Sequence, residues 1–406
     1  MEIFMKAYER LLKYVVLDTP SNPESENTPS SDCQFVLAKL LVEELKSIGV
    51  ENAEVDEKCY VYASIPATEG YENSKSLGLI AHMDTAPDFN GCGVKPQIIE
   101  NYDGTDVVLG KSGRILKVSD FPELAGFKGR TLITTDGTSL LGSDDKSGIA
   151  EIMTLAERIL SEKIPHGKIC IGFTPDEEIG AGADHFDVEK FGADIAYTLD
   201  GGMEGEIEYE NFNAAGAVLT VHGNNVHPGS AKDIMVNAQL VAMECNGVLP
   251  VDEIPSKTEG YEGFFHLTDM TGSVEEAKLH YIIRDHSREK FEERKALMRS
   301  IVENINQVYG AGTAELELKD QYYNMKEMVE PHMHLIDRAR SAMESLGITP
   351  RVNPIRGGTD GARLSWMGLP CPNLSTGGAN FHGVHEYVSV QAMEKMVALI
   401  VELVRG

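Results

Sequence analysis

Short, nearly all-apolar runs that stop abruptly on histidine or on acids set the architecture of this chain. Leu77 to Ala81 delivers His82, Lys168 to Thr174 is ended by Pro175 just before Glu177 and Glu178, and Ile195 to Leu199 leads into Asp200 and two glycines. Runs of this kind, without polar alternation, are expected of strands buried on both faces of a largely parallel sheet. A fourth cluster, Asp144-Asp145-Lys146, precedes the stripe Ile149, Ile152, Met153, Ala156, Ile159 and Leu160, which reads as one face of a helix. The acids therefore fall at strand ends or at a helix start, where open α/β sheets place their ligand sites.

Other segments extend the pattern. Ser31 and Asp32 can cap a helix that carries Leu37, Leu41, Leu45 and Ile48 on one face and stops at Gly49. Asn90 to Arg114 is a Gly-rich excursion suited to hairpins, and Val390 to Val404 reads as a closing helix. The character changes over residues 211–323. Ala217 to Val221 and Leu279 to Ile283 read as strands there, and Asp233 to Asn246 and Ser287 to Tyr309 as helices. The expected organisation is an α/β protein with one domain from residues 1–210 and 324–406 and an inserted α+β domain over 211–323.

Composition narrows the function. Thirty-six basic against 64 acidic residues give a formal net charge of −28, which repels phosphate backbones and anionic lipid heads and argues against nucleic-acid or membrane partners. The segment Met1 to Arg10 carries acids where an export signal would be basic, so a cytoplasmic location is expected. Six scattered cysteines with no C-x-x-C pair read as reduced packing residues, leaving histidine and carboxylate to hold any metal.

Each cluster has a bland reading. His82 could be an ordinary strand-end histidine, and Asp144-Asp145 a solvated helix cap. Gathered in one desolvated cleft, however, Asp144, Glu177, Glu178 and Asp200 would repel each other by several kcal/mol unless a cation neutralised them. With His382 they supply enough oxygen and nitrogen ligands for two divalent metals around one water. On an extended segment His82 and Asp84 face the same way, so Asp84 can accept a hydrogen bond from the imidazole while the other ring nitrogen meets metal. Adjacent glutamates allow one to bind metal while its neighbour moves a proton.

The segments His82-Met83-Asp84-Thr85, Leu141 to Gly148, Thr174-Pro175-Asp176-Glu177-Glu178-Ile179-Gly180, Leu199 to Gly202, His227-Pro228-Gly229, Arg356-Gly357-Gly358-Thr359-Asp360-Gly361 and Asn380-Phe381-His382-Gly383 occur in the order of a known family. The chain resembles the co-catalytic zinc exopeptidases, the family of aminoacylases, succinyl-diaminopimelate desuccinylase and carboxypeptidase G. The resemblance implies a mixed-sheet catalytic domain with an inserted ferredoxin-like lid. It implies that Asp144 bridges two Zn2+ ions, with Co2+ or Mn2+ as substitutes. His82 and Asp200 complete one site, and Glu178 and His382 the other. The family spacing selects Asp144 over Asp145, and His382, four residues before Glu386, over His385.

By the same resemblance Glu177 is the general base and acid, Asp84 supports His82, and a cis peptide follows Asp144. His227 stabilises the oxyanion, and Arg284 and Arg356 grip a substrate carboxylate, although from sequence alone a surface histidine and solvated arginines are the plainer readings. The implied reaction is removal of the N-terminal residue of a tripeptide, and the lid admits a homodimer. A dipeptidase or N-acyl amino acid hydrolase of the same family, and more distantly a non-catalytic metal-binding scaffold, remain as alternatives.

Overall fold

The computed structural model describes residues 4–405; Met1 to Ile3, the start of the N-terminal segment read above, and Gly406 lie outside the described residues. Two compact units are present. One comprises Met1–Tyr209, Glu327–Asn353 and Thr359–Gly406, the other Glu210–Lys326 with Pro354–Gly358.

The larger unit is built on an eight-stranded mixed sheet. Its strands run, across the sheet, Glu54–Val55, Val61–Ile65, Ile169–Thr174, Leu77–His82, Ile195–Gly201, Asn373–Ser375, Glu206–Glu208 and Arg351–Val352. The central four are parallel, with His82 in register with Thr174 and Ile80 with Thr198. Every residue of Leu77–His82 and of Ile169–Thr174 is buried, as their unbroken apolarity requires. Burial of Leu79, Ile80, Ile171 or Phe173 contributes about 1.5–3 kcal/mol each. Gly78 permits this packing: a Cβ there would stand 2.5 Å from the Phe191 ring and 2.9 Å from the Ala196 Cβ.

Helix Ser143–Glu162 packs along the sheet, with Ile149, Ile152, Met153, Ala156 and Ile159 buried, but Asp144 and Asp145 at its start have non-helical backbone angles. A small antiparallel sheet, Gly378–Ala379, Tyr387–Ser389, Leu132–Thr134 and Gln97–Ile99, brings the 380–382 segment back to that start, and Val107–Leu109 with Arg114–Leu116 forms the hairpin foreseen in the Gly-rich excursion. Helix Val390–Val404 closes the chain, capped by the Ser389 hydroxyl. The capping assignment at Ser31 and Asp32 is corrected. Helix Gln34–Ser47 starts from Cys33 without a side-chain cap, because the backbone carbonyls of Ser31 and Asp32 already accept from Gln34 and Phe35 in a tight turn.

Glu151 sits on the buried face of helix Ser143–Glu162, 0% exposed, with neither carboxyl oxygen bonded to a described residue. Burial, followed by the charge of Glu394, pushes its carboxyl well above the ordinary range. An acid raised in the folded state holds a proton that the unfolded chain has released, so folding stability falls as pH rises above the unfolded value of about 4.3. Glu151→Met is therefore expected to stabilise by about 1–3 kcal/mol near pH 8 and by less toward pH 5. Urea unfolding at both values checks this, and destabilisation near pH 8 would refute it.

The second unit follows β-α-β-β-α-β order: Asn213–His222, Ala238–Val248, Phe264–Gly272, Glu276–Asp285, Arg288–Tyr309 and Ala314–Tyr322. Its antiparallel sheet runs Phe264–Gly272, Glu276–Asp285, Asn213–His222, Ala314–Tyr322, the ferredoxin-like arrangement. The helix expected from Asp233 begins only at Ala238. Asp233 is in the left-handed region, Val236 pairs with Asn224, and the Asn237 side chain caps the helix by accepting from Gln239. Among the described residues no helix is long and apolar enough to cross a membrane. All six cysteines are free thiols, four buried, with Cys33 half-buried and Cys92 exposed.

Candidate metal centre

Three parallel strands, the Ser143 helix and the segment after Gly378–Ala379 deliver seven side chains to one place in the larger unit. His82 ends its strand, and its Nδ1 lies 3.3 Å from Asp84 Oδ1 and 3.2 Å from the Asp84 carbonyl. The wholly buried Asp84 carboxylate also accepts from the Glu177 N–H at 3.0 Å and the Glu178 N–H at 3.2 Å. One side chain thus fixes the imidazole orientation and the glutamate turn together. On the far side of that turn, Asp176 accepts from the Ser30 N–H and hydroxyl and from Gln34 Nε2.

Asp144 is held by a residue that sequence reasoning gave no role. The buried Glu386 carboxylate accepts from the N–H groups of Leu141, Gly142 and Asp144, at 2.7, 2.9 and 3.1 Å, and from the Ser143 hydroxyl at 2.6 Å. The Asp144-Asp145 peptide is cis. The neighbouring carboxylates do different work. Asp145 accepts from the backbone N–H of His82 and Gly148, whereas Asp144 points its oxygens at two histidines. Lys146 is buried and donates to the Leu17 carbonyl; burial lowers its ammonium to about 8.

Distances sort the cluster. His82 Nε2 lies 3.0 Å from Asp144 Oδ1, 3.5 Å from Asp200 Oδ1 and 4.0 Å from Glu177 Oε2. His382 Nε2 lies 2.9 Å from Glu178 Oε2 and 3.4 Å from Asp144 Oδ2. Asp144 therefore spans two nests, one oxygen toward each imidazole. His385 turns elsewhere, its ring against Phe121 at 5.3 Å.

The electrostatics describe donors short of positive charge. Burial, reinforced by neighbouring carboxylates, pushes Glu178 to about 8, Asp200 to about 6 and Glu177 well above its ordinary value. Burial also pushes Asp144 upward, but hydrogen bonds from His382 and His82 outweigh it and hold that carboxyl below the usual range. Hydrogen bonds to Asp144 and Glu178 raise His382 to about 11. The buried acids can otherwise stay charged together only beside cations. Imidazole nitrogens and carboxylate oxygens meet within 4.8 Å in the groups His82, Glu177, Asp200 and His82, Asp144, Glu178, a donor set that fits divalent metals.

Asp360 is the second residue overlooked. It is buried, burial raises it to about 7, and it counts among the charges acting on Glu177. A Cβ on Gly182 would fall 2.3 Å from its Oδ1, so that glycine is what admits it. The sole signal in the sequence was an acid inside the Gly-rich segment at 357–361.

His227, Arg284 and Arg356 belong to the second unit. His227 is exposed, and its Nδ1 accepts from the Gly229 N–H at 3.1 Å, which leaves the neutral ring its hydrogen on Nε2. Arg284 donates from Nη1 to the Ile283 and Ala215 carbonyls and lies 5.4 Å from the Tyr322 ring centre. Arg356 packs against the rings of Phe212 and Phe264, with Nη1 bonded to the Gly260 and Glu262 carbonyls and Nη2 to Thr258.

A twofold nest of histidine and carboxylate at the strand ends of a mixed sheet agrees with the sequence comparison: the chain belongs to Peptidase family M20/M25/M40, whose profile matches residues 137–406. Peptidase T of Clostridium novyi (strain NT) is 58% identical over 398 residues, covering 97% of each chain. Among solved structures, the aminopeptidase PepT of Bacillus cereus ATCC 10987 superposes with a TM-score of 0.78 at 23% identity, covering 98% of this chain and 97% of that one. A tripeptidase of Staphylococcus aureus gives 0.79 at 21% identity, covering 100% and 99%. At these identities the two structures speak for the fold.

Proposed function

We propose that this chain is a tripeptide aminopeptidase that uses a two-metal centre. The single observation that carries the reading is Asp144 reaching one histidine with each oxygen while Glu177 stands beside the cluster, farther from His82 than Asp144 or Asp200. Near-full-length identity to a peptidase T supports the substrate class. His82 and Asp200 would hold one cation, Glu178 and His382 the other, and Asp144 both. Bound there, divalent zinc, or cobalt or manganese in its place, would polarise the scissile carbonyl and acidify water.

The protein's own groups do the rest. Glu177 takes the proton of the attacking water and gives it to the leaving amine nitrogen, and the Asp84 carboxylate keeps His82 Nε2 directed at the cluster. His227 donates from Nε2 to the carbonyl oxygen as it gains charge. Arg284 and Arg356 pair with the substrate's C-terminal carboxylate, for which Arg356 exchanges carbonyl partners in the 258–262 loop. The surrounding acids favour a free α-amino group, which separates this reading from an acyl-amino-acid hydrolase.

With Ala-Ala-Ala, Ala-Ala and N-acetyl-alanine compared at equal metal loading, kcat/KM is expected to be at least about tenfold higher for the tripeptide. Equal rates on the dipeptide, or preference for the acylated substrate, would move the assignment to a sister activity. Free thiols support a cytoplasmic location, which cell fractionation checks. The exposed Leu240, Met243, Val248 and Val251 on and just past helix Ala238–Val248 support a homodimer through the second unit. Sedimentation is expected to show a dimer that Met243→Lys weakens; a monomeric wild type would end that proposal.

A further inference from the structure

The strands that present His82 and Asp200 begin, at their other ends, in the wall of a separate cavity of about 380 Å³. Six residues at about 3.3 Å each put it on the order of 20 Å from the acidic cluster. Its charge is the reverse of the protein's. Lys75, Lys168, His334 and Arg338 line it over an apolar floor that includes Leu77 and Ile195, and no carboxylate is among its described lining residues. In a chain where acids outnumber bases 64 to 36, such a wall runs against composition.

Among the described residues, the hydrogen bonds of these cations go to carbonyls. Lys168 Nζ donates to the Gly192 carbonyl at 3.0 Å and Arg338 Nη2 to the Leu403 carbonyl, both neutral partners. The nearby Asp194 carboxylate accepts from the N–H and hydroxyl of Ser76, at 2.8 and 2.7 Å, and the charges of Lys75 and Lys168 also act on it. Burial lowers the His334 imidazolium, with the charges of Lys75, His332 and Arg338 acting in the same sense and that of Asp337 against them.

We propose that this cavity is a binding site for a small, multiply charged anion, a phosphate or a dicarboxylate, distinct from the metal centre and independent of the peptidase reading. Positive side chains converging on a concave, partly apolar pocket raise the local concentration of anions and desolvate their apolar parts.

Calorimetric titration of the metal-loaded protein with inorganic phosphate and, separately, succinate, at ionic strength held constant with sodium chloride, tests the proposal. Saturable binding of at least one is expected, and the one that binds identifies the anion class. Affinity should fall at least about tenfold in Lys75→Glu/Lys168→Glu and measurably in the milder Lys75→Gln, a change at an exposed side chain. Absence of saturable binding by either anion, or binding of equal affinity in both variants, would overturn it.

Discussion

Replacing Glu177 with alanine is expected to lower kcat on a tripeptide by about 10²–10⁴-fold, with fold and metal content retained. In barrier height that is about 2.7–5.5 kcal/mol, the range for a positioned proton-transfer group. The expectation rests on geometry before titration. Glu177 lies 4.0 Å from His82 Nε2, beyond Asp144 at 3.0 Å and Asp200 at 3.5 Å, while its backbone N–H is pinned by Asp84. Burial and the Asp200 charge push its carboxyl upward, which suits a group that must accept and return a proton. Steady-state kinetics with elemental analysis separates the roles. Activity lost with metal intact marks a proton carrier; metal lost in parallel would make Glu177 a ligand and leave the base unassigned.

The second large effect concerns a residue that touches no histidine of the cluster. Glu386→Ala removes the acceptor of four donors, three of them backbone N–H groups of the loop that presents Asp144. Each unsatisfied buried donor costs about 1–3 kcal/mol. Partial relaxation brings the expected destabilisation to roughly 3–5 kcal/mol. Because the loop aims both oxygens of Asp144, metal affinity should also fall by about 10–100-fold, as measured for supporting residues elsewhere. Glu386→Gln, which can still accept, should recover part of both losses. Thermal unfolding and metal competition check the pair. Unchanged metal affinity in the alanine variant would mean that Asp144 is positioned by the start of its helix without Glu386.

How much of this was legible in the linear chain depended on burial. Leu77–His82 and Ile169–Thr174 could be read because strands buried on both faces tolerate almost nothing polar. Phe264–Gly272 went unread because it is an edge strand exposed over most of its length, and an edge needs little apolar alternation. Ala314–Tyr322, also an edge, does alternate, with Ala314, Leu316 and Leu318 turned inward against exposed Glu315, Glu317 and Lys319, a signal that was passed over. The helix expected from Asp233 was placed five residues early because local bridging between Asn224 and Val236 takes precedence over propensity. Within the site, the acids visible in motifs do converge. Glu386 served only to set the register of His382, and its own work, like that of Asp360, was missed because it is done through backbone N–H groups and close packing.

The central claim is that His82 and His382, 300 residues apart in the chain, face a shared pair of cations through Asp144. Anomalous scattering at the zinc edge from zinc-soaked crystals tests it most directly. Two peaks are predicted, one against His82 and Asp200 and one against Glu178 and His382, with the Asp144 carboxylate between them. A lone peak that leaves Asp144 uncoordinated, or no peak between the two histidines, would contradict the account.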